Sequence, residues 1–218
     1  KDFKIKKGKL RGVESNGMLC GASEIGLEDT VDGLLILPSD APIGQDIRAY
    51  LSLDDRVIEL GITPNRGDCL SVRGLARELG VLNQLPVHDL QIEPVQATTD
   101  QRKTVHLNDA GCPRYAGRVI SGINPQATTP AWMAEKLRRC GLRSHSLLVD
   151  ITNYVLLALG QPMHAFDLDQ LQGDLCVRLS TAGEQLKLLN EQQVTLDDDT
   201  LLICDERGAV ALAGVMGG

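Results

Sequence analysis

The stretch "TNYVLLALGQPMHAFD", residues 152–167, decides how the centre of this sequence is interpreted. Its apolar run predicts a buried helix that ends at Gly160, a residue type typical of helix ends. Thr152 and Asn153 precede the run, and His164 follows the helix end. Because polar groups in a buried helix need partners or a cavity, two interpretations stay open. The stretch is either a capped core helix or the wall of a binding site.

Two further helices are predicted on the N-terminal side of this stretch. Residues 130–140 follow Thr129 as the expected N-cap and stop at Gly141. Residues 72–85 follow Asp68 or Ser71 as the cap, and the spacing of their apolar residues predicts one buried face. The apolar positions of that face are Val72, Leu75, Leu79 and Leu82.

Short strands are predicted on both sides of the helices, from alternating or β-branched runs bounded by Gly, Asn and Asp. They are expected in residues 3–13, 56–63, 114–123, 175–180, 184–189, 193–196, 200–205 and 209–217. Because helices and strands do not alternate regularly, we expect an α+β fold with mixed or antiparallel sheets and packed helices.

Composition limits the function classes. The 218 residues carry a net charge of −7, so the chain as a whole is not a general polyanion binder. The N-terminal segment is basic nevertheless, and it could contact phosphates or form a solvated edge strand. Its candidate nucleic-acid contacts are Lys4, Lys6, Lys7, Lys9 and Arg11.

Several chemistries find no support in the sequence. The six cysteines form no C-x-x-C pair and the four histidines have no metal spacing, so no metal site is predicted. No P-loop, G-x-G-x-x-G or G-x-S-x-G motif is present, so the chain has no ATP-binding signature of its own. No apolar run approaches ~18 residues and no signal peptide is visible, so buried, reduced thiols in the cytosol are expected.

The segment "ALAGVMGG", residues 211–218, offers backbone without side-chain bulk. Its glycines suit either a close approach of backbone to a ligand or ordinary turns. Nothing in these patterns identifies a reaction.

Six segments together resemble one family, the β subunits of bacterial phenylalanyl-tRNA synthetases. They are "KIKKGKLRGVESNGMLC" (4–20), "ITPNRGDCLSVRGLAREL" (62–79), "CPRYAGRVISGI" (112–123), "TPAWMAEKLRRCGLRS" (129–144), "VDITNYVLLALGQPMHAFD" (149–167) and "ALAGVMGG". The resemblance covers essentially the whole chain, in the family's order, and its motifs are long enough to be specific.

The resemblance implies three regions within a longer subunit, so we expect the chain to be a fragment. Residues 1–48 resemble the C-terminal part of an OB-fold tRNA-binding domain. Residues 49–100 resemble a small α+β domain, and residues 101–218 the N-terminal part of the tRNA-editing domain. A non-catalytic RNA-binding or assembly module is the alternative.

The family also implies cofactors and partners. Its enzymes are cytoplasmic ligases that charge tRNA(Phe) with phenylalanine, using ATP and Mg²⁺, as (αβ)₂ heterotetramers with the synthetic site on the α subunit. The resemblance implies no cofactor bound by this fragment itself, and no membrane or DNA partner. The β subunit hydrolyses tyrosine that has been wrongly esterified to the tRNA.

The family's editing pocket maps onto residues of this sequence. The resemblance places Thr152, Asn153 and His164 at the ester, with His164 as a general base or as a positioning group. The expected substrate-binding residues are Arg143, Pro162, Gly217 and Gly218. The glutamate that reads the tyrosine hydroxyl is expected beyond residue 218, so the isolated fragment is expected to be inactive.

Overall fold

The computed structural model describes residues 4–27 and 33–218. Expectations for residues 1–3 and 28–32 lie outside the described residues. The chain divides into two compact units, Lys1–Arg56 and Val57–Gly218. Its secondary structure is α+β with mixed and antiparallel sheets, which confirms the predicted fold class.

A β-hairpin opens the first unit. Strands β1 (Gly8–Leu10) and β2 (Val13–Ser15) pair antiparallel, with Leu10 opposite Val13. The connecting residues Arg11 and Gly12 both have positive φ, 48° and 88°. Such two-residue turns match the natural twist of a hairpin. The predicted strand in this basic segment is therefore folded back on itself.

The rest of the first unit contains short elements. A 3₁₀ turn spans Ala22–Ile25, and the four-residue helix α1 spans Ile47–Tyr50. Asp46 caps α1 by accepting a hydrogen bond from the Arg48 N–H at 2.8 Å.

Three longer helices lie in the second unit, α2 (Val72–Asn83), α3 (Ala131–Arg139) and α4 (Leu147–Leu159), with 3₁₀ turns at Gly67–Cys69 and Leu168–Gln170. Ser71 caps α2, because its Oγ accepts from the Gly74 N–H at 3.0 Å. Gly160 ends α4 in the left-handed conformation with φ 76°. The helix of the 152–167 stretch and its stop were predicted correctly, but its expected burial was wrong. The buried residue of α4 is Asp150, and its exposed apolar residues are Leu148, Val149, Ile151 and Leu156. Helix α4 packs against both α2 and α3.

Two further details of the helices differ from the expectation. Pro130, and not Thr129, occupies the N-cap position of α3. The Thr129 hydroxyl instead donates a hydrogen bond to the buried carboxylate of Asp150. The expected apolar face of α2 is largely exposed, with Leu79 at 59% and Leu82 at 69%. The buried residue of α2 is Gly74 rather than a member of that face.

Seven strands follow in the second unit: β3 (Val105–Leu107), β4 (Leu175–Leu179), β5 (Gln185–Lys187), β6 (Gln193–Thr195), β7 (Leu201–Asp205), β8 (Gly208–Leu212) and β9 (Met216–Gly217). Five form a sheet of order β3-β4-β7-β8-β9, in which β3 is parallel to β4 and the other neighbours are antiparallel. Strands β5 and β6 form a separate antiparallel hairpin. The strands predicted at 175–180, 184–189, 193–196 and 200–205 are present. The single strand predicted at 209–217 is instead two strands, β8 and β9, separated by a turn at residues 213–215.

The core of this unit lies between the β5–β6 hairpin and the larger sheet. Its buried members are Leu186, Leu188, Leu196, Leu202 and Cys204. Burial of such aliphatic side chains stabilises the fold by ~1.5–3 kcal/mol each. The hairpin is thereby fixed over the sheet, close to β9.

The predicted strands at residues 56–63 and 114–123 are wrong. Both segments lack helix and strand in the structure. A strand needs a hydrogen-bonded neighbour, and short-range alternation does not supply one. In the described part of the chain, no other segment forms a ladder with either of them.

Candidate functional site

The structure brings two of the predicted site residues into contact, His164 and Gly217. Gly217 is buried at the end of β9, and the edge of the imidazole lies against its Cα. A Cβ atom on Gly217 would lie 2.3 Å from His164 Cε1 and 2.7 Å from Nε2. Real Cβ atoms essentially never come this close to a neighbour, so the contact requires glycine at position 217.

The His164 ring is held from a second side by Phe166. The two rings meet edge to face, with centroids 4.5 Å apart and planes at 82°. Partial burial lowers the pKa of His164 from its usual value of 6.5. The imidazole is therefore neutral at pH 7, with one nitrogen able to accept a hydrogen bond.

The backbone N–H and C=O groups around Gly217 are partly used in hydrogen bonds. The Gly218 N–H donates to Val210 O at 3.0 Å, and Gly217 O accepts from the Leu189 N–H at 3.0 Å. Hydrogen-bonded and non-hydrogen-bonded pairs alternate along an antiparallel ladder. The Gly217 N–H therefore points away from β8. The Gly218 amide is occupied, which leaves the Gly217 N–H as the candidate donor to a ligand.

Thr152 and Asn153 lie on α4, both half-buried. The Thr152 hydroxyl donates to Val149 O at 2.8 Å, one turn earlier in the helix, so the helix itself satisfies it. The described residues supply no hydrogen-bond partner for the Asn153 amide. Thr152 lies ~12 Å along the helix from Gly160. Among the described helices and strands, α4 packs on α2 and α3.

Arg143 and Pro162 lie at opposite ends of α4. Arg143 is exposed in the loop between α3 and α4, and Pro162 is exposed between Gly160 and His164. Pro162 stops the helix and turns the chain towards His164, because it cannot donate a helical hydrogen bond.

Asp150 is a structural residue that the sequence did not single out. Its side chain is fully buried in the first turn of α4. It accepts hydrogen bonds from the hydroxyls of Thr129 and Ser144, both at 2.5 Å, and from the His145 N–H at 3.0 Å. Burial alone would raise the pKa of Asp150, but these hydrogen bonds outweigh it and lower the pKa below 3.8. The carboxylate thus fixes the loop that carries Arg143.

The ends of α2 and α4 also meet. A Cβ on Gly160 would lie 3.0 Å from Ser71 Oγ and 3.3 Å from its Cβ. The N-cap of α2 therefore packs on the C-cap of α4, where the positive end of one helix dipole faces the negative end of the other. This contact fixes the start of the segment that leads to His164.

The five candidate cations in and just before the N-terminal hairpin are all exposed. Lys7 pairs with Glu14, with 2.8 Å between Nζ and Oε2. The remaining four make no ion pair with the described residues, and they are Lys4, Lys6, Lys9 and Arg11. Their charges are available to an anionic partner.

The His, Cys, Asp and Glu side chains of residues 4–27 and 33–218 were expected to form no metal site. No group of three or more His, Cys, Asp or Glu side chains there could hold a metal ion. All six cysteines are free, but only Cys69 and Cys204 are fully buried and Cys140 is exposed, so the expectation of buried thiols holds in part. No helix in this part of the chain is long and apolar enough to cross a membrane.

Two family models match the chain. The model described as "B3/4 domain" matches residues 111–218, and the one described as "Putative tRNA binding domain" matches residues 2–46. The His164–Gly217 contact lies in the first match and the basic hairpin in the second.

Curated relatives match along the whole chain. The sequence is 60% identical over 217 residues to the phenylalanine–tRNA ligase β subunit of Acinetobacter baylyi, covering 100% of this chain and 27% of that protein. It is 58% identical to the same subunit of Methylococcus capsulatus, covering 99% of this chain and 27% of the relative. For Pectobacterium atrosepticum the identity is 56%, with 100% and 27% covered. The chain thus spans about a quarter of these relatives' length.

Proposed function

Because this chain belongs to the family of phenylalanine–tRNA ligase β subunits, we propose that it is the part of such a subunit that binds tRNA and removes misplaced tyrosine. The whole enzyme would charge tRNA(Phe) with phenylalanine in the cytoplasm, as an (αβ)₂ heterotetramer with its α subunit. The proposed three regions remain residues 1–48, 49–100 and 101–218.

ATP and Mg²⁺ belong to the charging reaction of the whole enzyme. Among the described residues, no group of three or more His, Cys, Asp or Glu side chains could hold a metal ion. No step of the hydrolysis proposed for this chain runs through ATP or Mg²⁺.

The need for a second site follows from the chemistry of the two amino acids. Tyrosine is phenylalanine with one added hydroxyl, and an apolar pocket rejects an added hydroxyl only by ~10²-fold. A hydrolytic site that accepts tyrosine supplies the remaining selectivity after charging. Hydrolysis of the ester returns free tyrosine and uncharged tRNA.

The contact between His164 and Gly217 is the observation that supports a hydrolytic site. A neutral imidazole can accept a hydrogen bond from the attacking water. A backbone N–H directed at the carbonyl stabilises the oxyanion that forms during attack, and the Gly217 N–H is the available donor. The absence of a side chain at Gly217 allows the imidazole to lie directly against the backbone that carries this N–H.

The proposed reaction balances without a cofactor. The water oxygen forms a bond to the ester carbonyl carbon, and the bond from that carbon to the ribose oxygen breaks. One proton of the water passes to the departing ribose oxygen, directly or by way of His164. In this scheme Thr152 and Asn153 orient the ribose by hydrogen bonds, while Arg143 and Pro162 shape the approach of the substrate.

A non-catalytic RNA-binding or assembly module is the second candidate function. The exposed cations of the β1–β2 hairpin favour it, since they suit phosphate binding without any reaction. Deacylation of tyrosyl-tRNA(Phe) separates the two candidates.

In the complete ligase, the double variant His164→Ala/Thr152→Ala should slow this deacylation by at least about 100-fold, the usual scale of a lost acid–base or positioning group. Phenylalanine charging should be unchanged. The matched control is His88→Ala/Thr98→Ala, at exposed positions outside any helix or strand. A double variant that deacylates as fast as the wild type would contradict the proposed hydrolytic site and favour the non-catalytic binding module.

A further inference from the structure

Trp132, the single tryptophan of the chain, is 54% exposed on α3. The edge of Tyr154, on α4, meets it at a centroid distance of 5.4 Å and an angle of 85°. A tryptophan in a monomeric core would bury most of its large surface. Two aromatic rings that are fixed against each other at the surface form a rigid apolar face in solvent.

A cation completes this face. The Lys136 ammonium lies 5.6 Å from the centroid of the Trp132 ring and 5.8 Å from that of Tyr154. Lys136 follows Trp132 by four residues, so helix geometry places both side chains on one flank of α3. No carboxylate of the described residues pairs with Lys136, so its charge remains available to a ligand.

The surroundings are basic although the whole chain is acidic. Residues 131–146 carry four cations against one acid, Glu135, while the chain has a net charge of −7. Glu135 binds both Arg138 and Arg139, at 2.8 Å and 2.7 Å. Two positive charges remain in excess when the ionised Asp150, which is hydrogen-bonded to Ser144 and His145, is counted as well, and they point to an anionic ligand.

We propose that Trp132, Lys136 and Tyr154 form a stacking platform for an unpaired nucleotide of RNA. A base stacks on the exposed surface of Trp132, and Lys136 contacts the adjoining phosphate. Tyr154 directly follows Asn153, so the platform adjoins one end of the proposed editing site. This inference rests on the proposed function for the identity of the strand, which would be the unpaired 3′ end of the tRNA.

Charge favours RNA over a protein partner. An exposed tryptophan also suits a protein interface, but the centres of such interfaces are depleted in charged residues. Here the aromatic pair is combined with an unpaired ammonium and a surrounding excess of cations. A platform of this kind binds by its aromatic surface and depends on salt through its charges.

The first test uses the fluorescence of the full chain, in which Trp132 is the only tryptophan. Addition of a short oligoadenylate RNA should quench this fluorescence, because a stacked base contacts the indole directly. Unchanged fluorescence at oligoadenylate concentrations that saturate binding would overturn the proposal.

The second test measures oligoadenylate affinity by the anisotropy of a labelled strand. Trp132→Ala should weaken binding by about tenfold, whereas Trp132→Phe should retain most of it because phenylalanine still stacks. Lys136→Gln should weaken binding and lower the slope of log affinity against log salt by about 0.7, the value for one phosphate of a single strand. Arg102→Gln, at an exposed position without an ion pair to the described residues, is the matched control and should change neither quantity.

Two outcomes would contradict the platform. One is wild-type affinity in a folded Trp132→Ala variant. The other is normal RNA binding by that variant with loss of assembly with the α subunit, which would make this surface a protein interface. Oligoadenylate carries no ester, so its binding to the wild-type chain tests the platform without the hydrolysis, and failure of the hydrolytic site and failure of the platform are distinguishable.

Discussion

Asp150 shows how one buried side chain can organise a loop far from itself in sequence. It ties Thr129, before α3, to Ser144 and His145, before α4. A buried carboxylate that has several donors is stabilised in its charged form. The position of Arg143 in the neighbouring loop depends on this arrangement.

Replacing Asp150 by alanine should lower the free energy of unfolding by about 3 kcal/mol, because three charge-assisted hydrogen bonds to a fully buried carboxylate are lost. Urea denaturation of the full chain measures this change. Asp109→Ala, an exposed carboxylate that caps a turn, is the control and should cost far less. A loss below about 0.5 kcal/mol for Asp150→Ala, the range of ordinary surface substitutions, would contradict the role assigned to it.

The stabilisation by Asp150 also has a pH dependence of known sign. Its pKa in the folded chain is lower than in the unfolded chain, so the unfolded chain binds the proton first as the pH falls. The contribution is complete above the unfolded pKa, near 3.8, and is lost as the pH falls through the folded value. The stability difference between wild type and Asp150→Ala should therefore shrink in acid. It should stay constant from about pH 5 to 7, because this range lies above the titration of the Asp150 carboxyl.

At this scale, sequence reasoning found the residues that break a local pattern. Thr152 and His164 stood out against an apolar helix, and the glycines of 211–218 stood out by their lack of side chains. The family resemblance implied only that His164 and Gly217 belong to one pocket, and their contact was not predicted, since no local pattern links residues so far apart. Asp150 was missed because an acid in the first turn of a helix is ordinary, and its partners are set by tertiary structure.

Among the elements, the contact between the N-cap of α2 and the C-cap of α4 leads to a prediction about stability. Gly160 combines a left-handed backbone with contact to Ser71. Gly160→Ala should therefore destabilise the chain both by backbone strain, about 1 kcal/mol, and by the clash with Ser71.

Gly183→Ala separates the two effects, since Gly183 has φ +84° and no atom within 4 Å of a Cβ. We expect thermal unfolding to show a larger loss for Gly160→Ala than for Gly183→Ala. Equal losses would mean that the contact between the two helix ends contributes nothing.

The elements that were predicted correctly are those with local determinants. The helix ending at Gly160 and the β5–β6 hairpin depend on residues close in sequence. The strands expected at 56–63 and 114–123 failed because a strand depends on a partner that its own sequence does not contain. The predicted burial of the apolar face of α2 was wrong for a related reason. Periodicity predicts an apolar face but not which other element covers it.

On the scale of the whole molecule, charge is divided between an acidic chain and a basic N-terminal hairpin. The proposed tRNA contacts predict a particular salt dependence, because each phosphate contact adds about 0.9 to the slope of log affinity against log salt on a duplex. Lys6→Gln/Lys9→Gln should thus lower the slope for tRNA(Phe) binding by about 2. Lys7→Gln should have less effect, because Glu14 already neutralises Lys7.

Lys103→Gln/Lys187→Gln changes the net charge equally at positions outside the hairpin, and it is the control for this measurement. An equal drop in slope for both double variants would show that net charge, and not the hairpin, governs the binding of tRNA.

The proposed hydrolytic site depends on the contact between His164 and Gly217, and Gly217→Ala changes that contact. The added methyl group would displace the imidazole, since it would lie 2.3 Å from His164 Cε1. Gly61→Ala is the matched control, because nothing lies within 4 Å of a Cβ there and its φ is ordinary. The decisive measurement is the rate at which the complete ligase deacylates tyrosyl-tRNA(Phe). We predict that Gly217→Ala lowers the deacylation rate at least about tenfold, because it displaces the imidazole. Gly61→Ala should deacylate at the wild-type rate, and phenylalanine charging should be unchanged in both variants. A folded Gly217→Ala enzyme that deacylates at the wild-type rate would contradict the proposed hydrolytic site.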